Sequence, residues 1–280
     1  MAGSESEHYR EILFDVSDPI ATITLNRPDR LNAWTDRMGA EVKHAMARSE
    51  EDPSVAVIVV TGAGRGFCAG ADLDRLESLS HGDAGGDDIG DLDCAPGDPE
   101  MEEGFRGTYT YLMSIRKPII AAINGPCAGM AVPIALSCDL RFASERAIFT
   151  TAFARRGLVA EWGIGWLLPR LVGPAHALDL LYSARKVDAA EAERMGLVNR
   201  VLPADELLPF VREYALELAA HSSPASMQIM KRQVYESLQW ALGPAHRDAV
   251  RLMLESFKRP DFKEGVASFL EKRPPRFDRV

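Results

Sequence analysis

Three short apolar runs rich in β-branched residues, IATITLN from Ile20, VAVIVVTG from Val55 and PIIAAINGP from Pro118, each end in Asn, Gly or Pro. Runs of this length closed by turn residues read as strands buried on both faces, and a chain that holds several must build a sheet. Helical patterns lie between them. Thr35–Glu51 opens on a Thr cap and repeats Met38, Val42, Ala45 and Met46 at helical spacing, and Phe105–Ile115 is a second candidate helix. Strands alternating with helices predict an α/β domain, extending to about residue 202.

Beyond residue 202 the pattern is helical. Leu207, Leu208, Val211, Ala215 and Leu218 define one face, Ser223-Pro224 caps a further helix, and two more start near Pro244 and Pro260. Asp188 with Glu191 resembles a capping box just upstream. The section 203–280 carries more apolar surface than four isolated helices could cover, which points to self-association.

The net charge is −9, yet nine of the 41 acids fall in the segment 81–104, which has no Lys or Arg, and the other 32 balance 32 bases. The acidity belongs to one Gly/Asp-rich segment, read as a solvated loop or a lid. A basic footprint for nucleic acid is missing from the pattern. No apolar stretch reaches the ~20 residues of a membrane helix, and the start MAGSESEHYR lacks a signal core. The expected location is the cytosol. Cys68, Cys94, Cys127 and Cys138 lack zinc or CxxC spacing, so no metal site is expected.

Two strand–turn stretches could carry chemistry. TGAGRGFCAGAD follows the strand at Val55–Val60, and NGPCAGM follows Ile119–Ile123 and leads into AVPIALSCD. Gly64-x-Gly66-x-x-Ala69 fits a loose dinucleotide fingerprint, making a nicotinamide-dependent oxidoreductase one candidate; the acid it needs about 20 residues on falls where no strand is visible. Two small-residue corners can instead bring two backbone N–H groups to one point as an oxyanion hole, or be two ordinary tight turns.

Those two stretches, GRGFCAGADL and INGPCAGMAVPIALSCDL, resemble the signatures of the crotonase superfamily, the enoyl-CoA hydratase/isomerase family. The similarity continues through NRPDRLNAW, GLVAEWGIGWLLPRLVG, DAAEAERMGLVNRV and FLEKRPPRF, in order along nearly the whole chain. The resemblance implies a spiral of ββα turns followed by a helical trimerisation section, assembled as a homotrimer or a dimer of trimers. It implies an acyl-CoA thioester substrate in fatty-acid metabolism, isomerised or hydrated, with no separate cofactor because coenzyme A is part of the substrate. A non-catalytic acyl-CoA-binding protein of the same fold is the alternative.

Carried over by residue, the resemblance makes the N–H groups of Ala69 and Met130 the oxyanion donors. The family usually has glycine at Met130, which alters pocket shape and leaves the backbone donor. Asp72 is expected to cap the next helix. The two glutamates of typical hydratases fall on Pro133 and Phe153, neither of which transfers protons. Glu161, the lone acid of an apolar, glycine-flanked run, matches the glutamate of Δ3,Δ2-enoyl-CoA isomerases and is the candidate acid/base; a structural ion pair with Arg155 or Arg156 is its other role. Arg30, Leu31 and Ala71 are expected along coenzyme A, with Phe269 and Lys272 reaching a neighbouring subunit's coenzyme A. Trp34, Met38, Trp162 and Trp166 either shape the acyl tunnel or fill core, and Cys68 is wall, not nucleophile.

Overall fold

The computed structural model describes residues 9–82 and 89–279. The N-terminal octet and residues 83–88 of the acidic segment therefore lie outside the described residues. In chain order the strands are β1 (Ile12–Ser17), β2 (Ile20–Leu25), β3 (Val57–Gly62), β4 (Ile119–Ile123), β5 (Cys127–Ala128), β6 (Leu140–Ser144), β7 (Ile148–Thr150), β8 (Val187–Asp188) and β9 (Arg200–Leu202). The helices are α1 (Asp36–Glu51), α2 (Leu73–Ser80), α3 (Ala131–Leu136), α4 (Ile164–Ser183), α5 (Ala189–Arg194), α6 (Leu207–His221), α7 (Pro224–Ser237), α8 (Leu242–Ser256) and α9 (Pro260–Glu271).

The large sheet has the order β1-β2-β3-β4-β6-β9, antiparallel at the β1–β2 hairpin and parallel thereafter. β5, β7 and β8 form a small second sheet. Successive turns share one rhythm: a strand in the large sheet, a short extended segment crossing to the small one, then a helix, as in β4–β5–α3 and β6–β7–α4. In the β3–α2 turn a single bridge residue, Cys68, stands opposite Cys127 in place of the second strand. This is the ββα spiral implied by the resemblance.

Burial on both faces explains the unbroken apolar runs. Along β3, Ile58 and Val60 enter the main core, while Val57 and Val59 meet Leu207, Val211 and Ala215 of α6. The first helix after residue 202 thus roofs the sheet. The caps form as expected at Thr35, which accepts from Met38 N at 2.9 Å, and at Ser223, which accepts from Ser226 N at 3.0 Å. Asp188 accepts from Glu191 N at 2.8 Å, but the Glu191 carboxylate pairs with Arg185 rather than returning to the cap.

Two expectations need correction, and one strand was not foreseen. Phe105–Ile115 is two 3₁₀ turns, Glu103–Arg106 and Thr110–Met113, broken at Gly107, whose N–H donates to Thr110 Oγ1 at 3.0 Å. The β1 strand escaped the sequence pattern because it forms an outer hairpin arm with Leu13 and Val16 exposed. The described end of the acidic segment is no free loop: Leu92 and Met101 are buried, Gly97 N donates to Glu50, and Asp98 and Glu100 pair with Arg232. Among the described residues no helix is long and apolar enough to cross a membrane.

Candidate active site

The turns after β3 and β4 are zipped together. The N–H groups of Phe67 and Cys68 both donate to Pro126 O at 3.1 Å, and Ala128 N–H donates to Cys68 O at 3.0 Å. This parallel register sets Cys68 opposite Cys127 and brings Gly70 against Gly129. A Cβ on Gly70 would stand 2.7 Å from Ala128 O and 3.5 Å from Gly129 Cα, and its φ of +93° suits glycine.

Hydrogen bonding decides which amides are free. Ala69 N–H donates to Leu31 O at 3.0 Å, so it is spent, correcting its expected role as a donor. Among the described residues no bond is formed by the N–H of Ala71 or of Met130. Ala71, expected only as a coenzyme A contact, thus has an open amide in the first corner, as Met130 has in the second. Trp34 holds Ala71 in place, with its N–H on Gly70 O at 2.8 Å and its carbonyl accepting from Asp72 N at 2.9 Å.

The segment NRPDRLNAW clips this corner from outside. Asn32 is fully buried in a left-handed conformation, accepts from Arg27 N, and donates to the carbonyls of Ala63, Gly66 and Phe67. Arg27 donates to Ala33 O at 2.6 Å and to Asp72 at 2.8 Å, while Asp72 caps α2 through Asp74 N at 3.0 Å. Burial pushes the Asp72 carboxyl up, but the Arg27 guanidinium and the cap bond hold it below its ordinary value. Neither Asn32 nor Arg27 was singled out from sequence, although an Asn in a Leu-Asn-Ala turn is the residue type that tolerates left-handed backbone.

Glu161 lies between the short turn Ala154–Arg156 and α4 and is half-buried. Trp162 and Gly163 both have positive φ, so the chain turns sharply after Glu161, whose carbonyl accepts from Ile164 N at 3.0 Å. No ion pair or hydrogen bond to its carboxylate forms among the described residues, and Arg155 instead donates to Ser183 O. The Trp162 ring packs edge-on against Tyr109, centroids 4.9 Å apart, and Tyr109 likewise against Trp34 at 5.8 Å. An aromatic chain thus links the segment of Glu161 to the residue that brackets Ala71. Tyr109 had not been singled out. Met38 is core, and Trp166 packs against Phe105 with Arg170 over its ring, away from this chain of rings.

The positions of the two hydratase glutamates are apolar and shut: Pro133 within α3 and Phe153 in the main core. Cys68 is fully buried, and burial pushes its thiol up to about 12, which removes it as a nucleophile. The stretch Gly64–Ala69 runs through the Cys68–Cys127 bridge and reaches no helix before Leu73, so it lacks the strand–turn–helix that a dinucleotide fingerprint needs. Arg30 is exposed beside the first corner, within 4.0 Å of Asp74, and Leu31 is half-buried. Phe269 and Lys272 are exposed at the end of α9. A cavity of about 250 Å³ lies at the opposite strand ends, lined by Val55, Lys117 and Met227, and holds none of these groups.

The family model for enoyl-CoA hydratase/isomerase matches residues 15–279. A probable enoyl-CoA hydratase of Mycobacterium tuberculosis is 34% identical over 269 residues, covering 96% of this chain and 98% of that protein. The 1,2-epoxyphenylacetyl-CoA isomerase of Escherichia coli is 33% identical, covering 95% and 97%. A crystal structure of an enoyl-CoA hydratase subunit from Geobacillus kaustophilus superposes with a TM-score of 0.83 at 32% identity, covering 97% of this chain and 99% of that one. With its corners, its spiral and its length all matched, the chain belongs to the enoyl-CoA hydratase/isomerase family.

Proposed function

We propose that the chain is an acyl-CoA enzyme that holds a thioester enolate between the N–H groups of Ala71 and Met130 and moves the proton with Glu161 alone. The observation that supports this is that the two corners are joined at Cys68–Cys127 and pass closely at Gly70 and Gly129, with the N–H groups of Ala71 and Met130 unbonded among the described residues. The names of the relatives support a coenzyme A thioester as substrate. One is a hydratase and another an isomerase, so family membership leaves the reaction open.

The chemistry of this chain favours a double-bond shift. The Glu161 carboxylate takes a proton from C2 of a 3-enoyl thioester, the C2–H electrons move into the thioester, and the carbonyl oxygen becomes the enolate oxygen between the two amides. Glu161 returns the proton to C4 as the double bond settles between C2 and C3. One acid/base suffices and no water is consumed. Hydration would need Glu161 to orient water and then to protonate C2, a task that two carboxylates usually share, and Pro133 and Phe153 supply none. Each amide contributes about 3 kcal/mol toward the transition state.

Arg30, Leu31 and Ala71 lie along the bound coenzyme A, and Phe269 and Lys272 reach the coenzyme A of a neighbouring protomer in a homotrimer or a dimer of trimers. The exposed Met230, Val234, Leu254, Phe257, Phe269 and Leu270 on α7–α9 support such an assembly. Coenzyme A enters as part of the substrate, with no separate cofactor and no metal, and the setting is cytosolic fatty-acid metabolism.

The test is turnover of matched 2-enoyl and 3-enoyl thioesters by the native protein and by Glu161→Gln. The expected result is 3-enoyl isomerisation that falls by two or more orders of magnitude in the variant; unchanged rates would remove Glu161 from the mechanism. The apolar Pro133 and Phe153 favour a second reading, a binding protein that kept the fold and lost the reaction. Tight binding of the thioesters without turnover of any of them would select it.

A further inference from the structure

The open N–H of Ala71 is the end of a hydrogen-bonded chain that begins on a cation. A peptide unit joins one residue's carbonyl to the next residue's N–H, planar and trans, so the two point in opposite directions. The Gly70–Ala71 unit is held by its carbonyl, which accepts from Trp34 N–H at 2.8 Å. That fixes its opposite end, the Ala71 N–H, which bonds nothing among the described residues. Trp34 N–H belongs in turn to the Ala33–Trp34 unit, whose carbonyl, Ala33 O, accepts from Arg27 Nη1 at 2.6 Å. Guanidinium, peptide, peptide and open amide thus run head to tail.

Arg27 is itself held. Its Nη1 also donates to Asp72 at 2.8 Å, its Nε stands 3.3 Å from Glu11, and its backbone N–H donates to Asn32 Oδ1 at 2.9 Å. The Arg27 side chain is 21% exposed and that of Asp72 5%, so solvent screens the pair only in part. The two carboxylates offset the Arg27 charge at long range. What passes along the chain is direction and local polarisation. Each bond fixes the plane of the next peptide, and a bond from a charged donor makes the accepting peptide a stronger donor at its far end. The Met130 donor is built otherwise: the carbonyl of its peptide unit, Gly129 O, accepts from Val132 N of α3 at 3.1 Å.

We propose, on the assignment of Ala71 and Met130 as the oxyanion donors, that Arg27 is a positioning residue. Through the Ala33–Trp34 and Gly70–Ala71 peptides it aims the Ala71 N–H at the thioester oxygen and strengthens it as a donor. Arg27 touches neither the substrate nor the transferred proton. The contact it supports tightens only as charge develops on the oxygen, so its loss falls on kcat and spares KM.

The experiment measures kcat and KM for a 3-enoyl thioester in Arg27→Met and Arg27→Lys, beside the infrared carbonyl stretch of bound octanoyl-CoA labelled with carbon-13 at the carbonyl. Octanoyl-CoA has no double bond to shift, so the stretch reads polarisation by the amides without turnover. In Arg27→Met, kcat is expected to fall about 10- to 100-fold, with KM changed less than about threefold. The bound carbonyl is expected to return part of the way to its frequency in water. Arg27→Lys, which keeps a charged donor without the planar fork, recovers part of both. Should Arg27→Met not fold, Arg27→Met/Asp72→Asn removes the carboxylate left unpaired and is read the same way. A folded Arg27→Met with native kcat, with its loss in KM alone, or with an unmoved carbonyl stretch overturns the inference and leaves the acyl-CoA enzyme standing. A native stretch equal to that of free octanoyl-CoA removes the two donors, and the role of Arg27 with them. If the native protein turns over no thioester, the proposed reaction fails instead, and the carbonyl stretch still decides the role of Arg27.

Discussion

Gly70 and Gly129 pass each other at the junction of the two corners, and they do so unequally. A methyl group on Gly70 would stand 2.7 Å from the Ala128 carbonyl oxygen, whereas one on Gly129 would meet its nearest neighbour, Gly70 Cα, at 3.8 Å, an ordinary contact. Gly70→Ala must push the two corners apart. It is expected to lower turnover by about 10²–10³, the cost of displacing one oxyanion donor, and to destabilise the fold by about 1–3 kcal/mol. Gly129→Ala, which carries only the backbone penalty of its φ of +55°, is expected to be the milder variant. Parallel measurements of kcat and of the urea midpoint check the order.

Asp72 makes stability depend on acid. Its carboxyl sits below the ordinary value of 3.8 because Arg27 and the helix cap outweigh burial. A depressed carboxyl stabilises the fold above its unfolded pKa, and that contribution is lost as pH falls through the lower folded value. Asp72→Asn is expected to be less stable than the native chain at pH 7 by about 1–2 kcal/mol. The gap should narrow as the pH falls through the lowered value of the Asp72 carboxyl. Denaturant titrations of the two proteins from pH 7 down to pH 2.5 read this out.

Lys117 makes stability rise with pH at the alkaline end, because its charged form is the one the fold disfavours. It is 6% exposed, its Nζ donates to Asp52 O at 2.6 Å, and burial pulls its ammonium down to about 8 despite the nearby Asp52 and Glu50. A base whose folded pKa lies below its unfolded value of 10.5 disfavours the folded state while charged. Stability relative to Lys117→Met is therefore expected to rise as pH climbs from about 8 toward 10. A difference between the two proteins that stays flat across that window would refute it.

Three of the four cysteines are closed to solvent. Cys68, Cys127 and Cys138 are at most 1% exposed, and burial pushes the thiols of Cys68 and Cys138 up to about 12 and that of Cys127 well above its ordinary value. Cys94 is only half-buried. A thiol reagent at pH 8 is expected to modify Cys94 first and to reach all four only in denaturant, with turnover surviving the first event. Rapid loss of activity on modification of Cys68 would reopen it as a participant.

Where the sequence pattern was strong, it read through to the structure. The runs at Ile20, Val55 and Pro118 became β2, β3 and β4, and the caps at Thr35, Asp72 and Ser223 formed. These features are local: a buried strand needs only its own apolar residues, and a cap only the N–H two or three positions ahead. Weak local patterns failed where longer-range contacts prevailed. Phe105–Ile115 carries a helical spacing of apolar residues, yet Gly107 and packing against the core left two separate turns. The acidic segment looked solvated, yet Glu50 and Arg232, distant in sequence, hold its described end.

By itself, then, the order of residues determined the sheet-forming runs, the helix starts, the two small-residue corners and the solitary acid at Glu161. Only the tertiary structure decided which backbone donors those corners leave open. Ala69, Ala71 and Met130 are alike as sequence, each beside a glycine in a short turn. What distinguishes them is that Leu31, brought across by the Asn32 clip, takes the N–H of Ala69, while those of Ala71 and Met130, flanking the Gly70–Gly129 approach, stay unbonded among the described residues. A hydrogen bond between segments far apart in the chain depends on how the turns of the spiral stack, and no spacing within either segment encodes it.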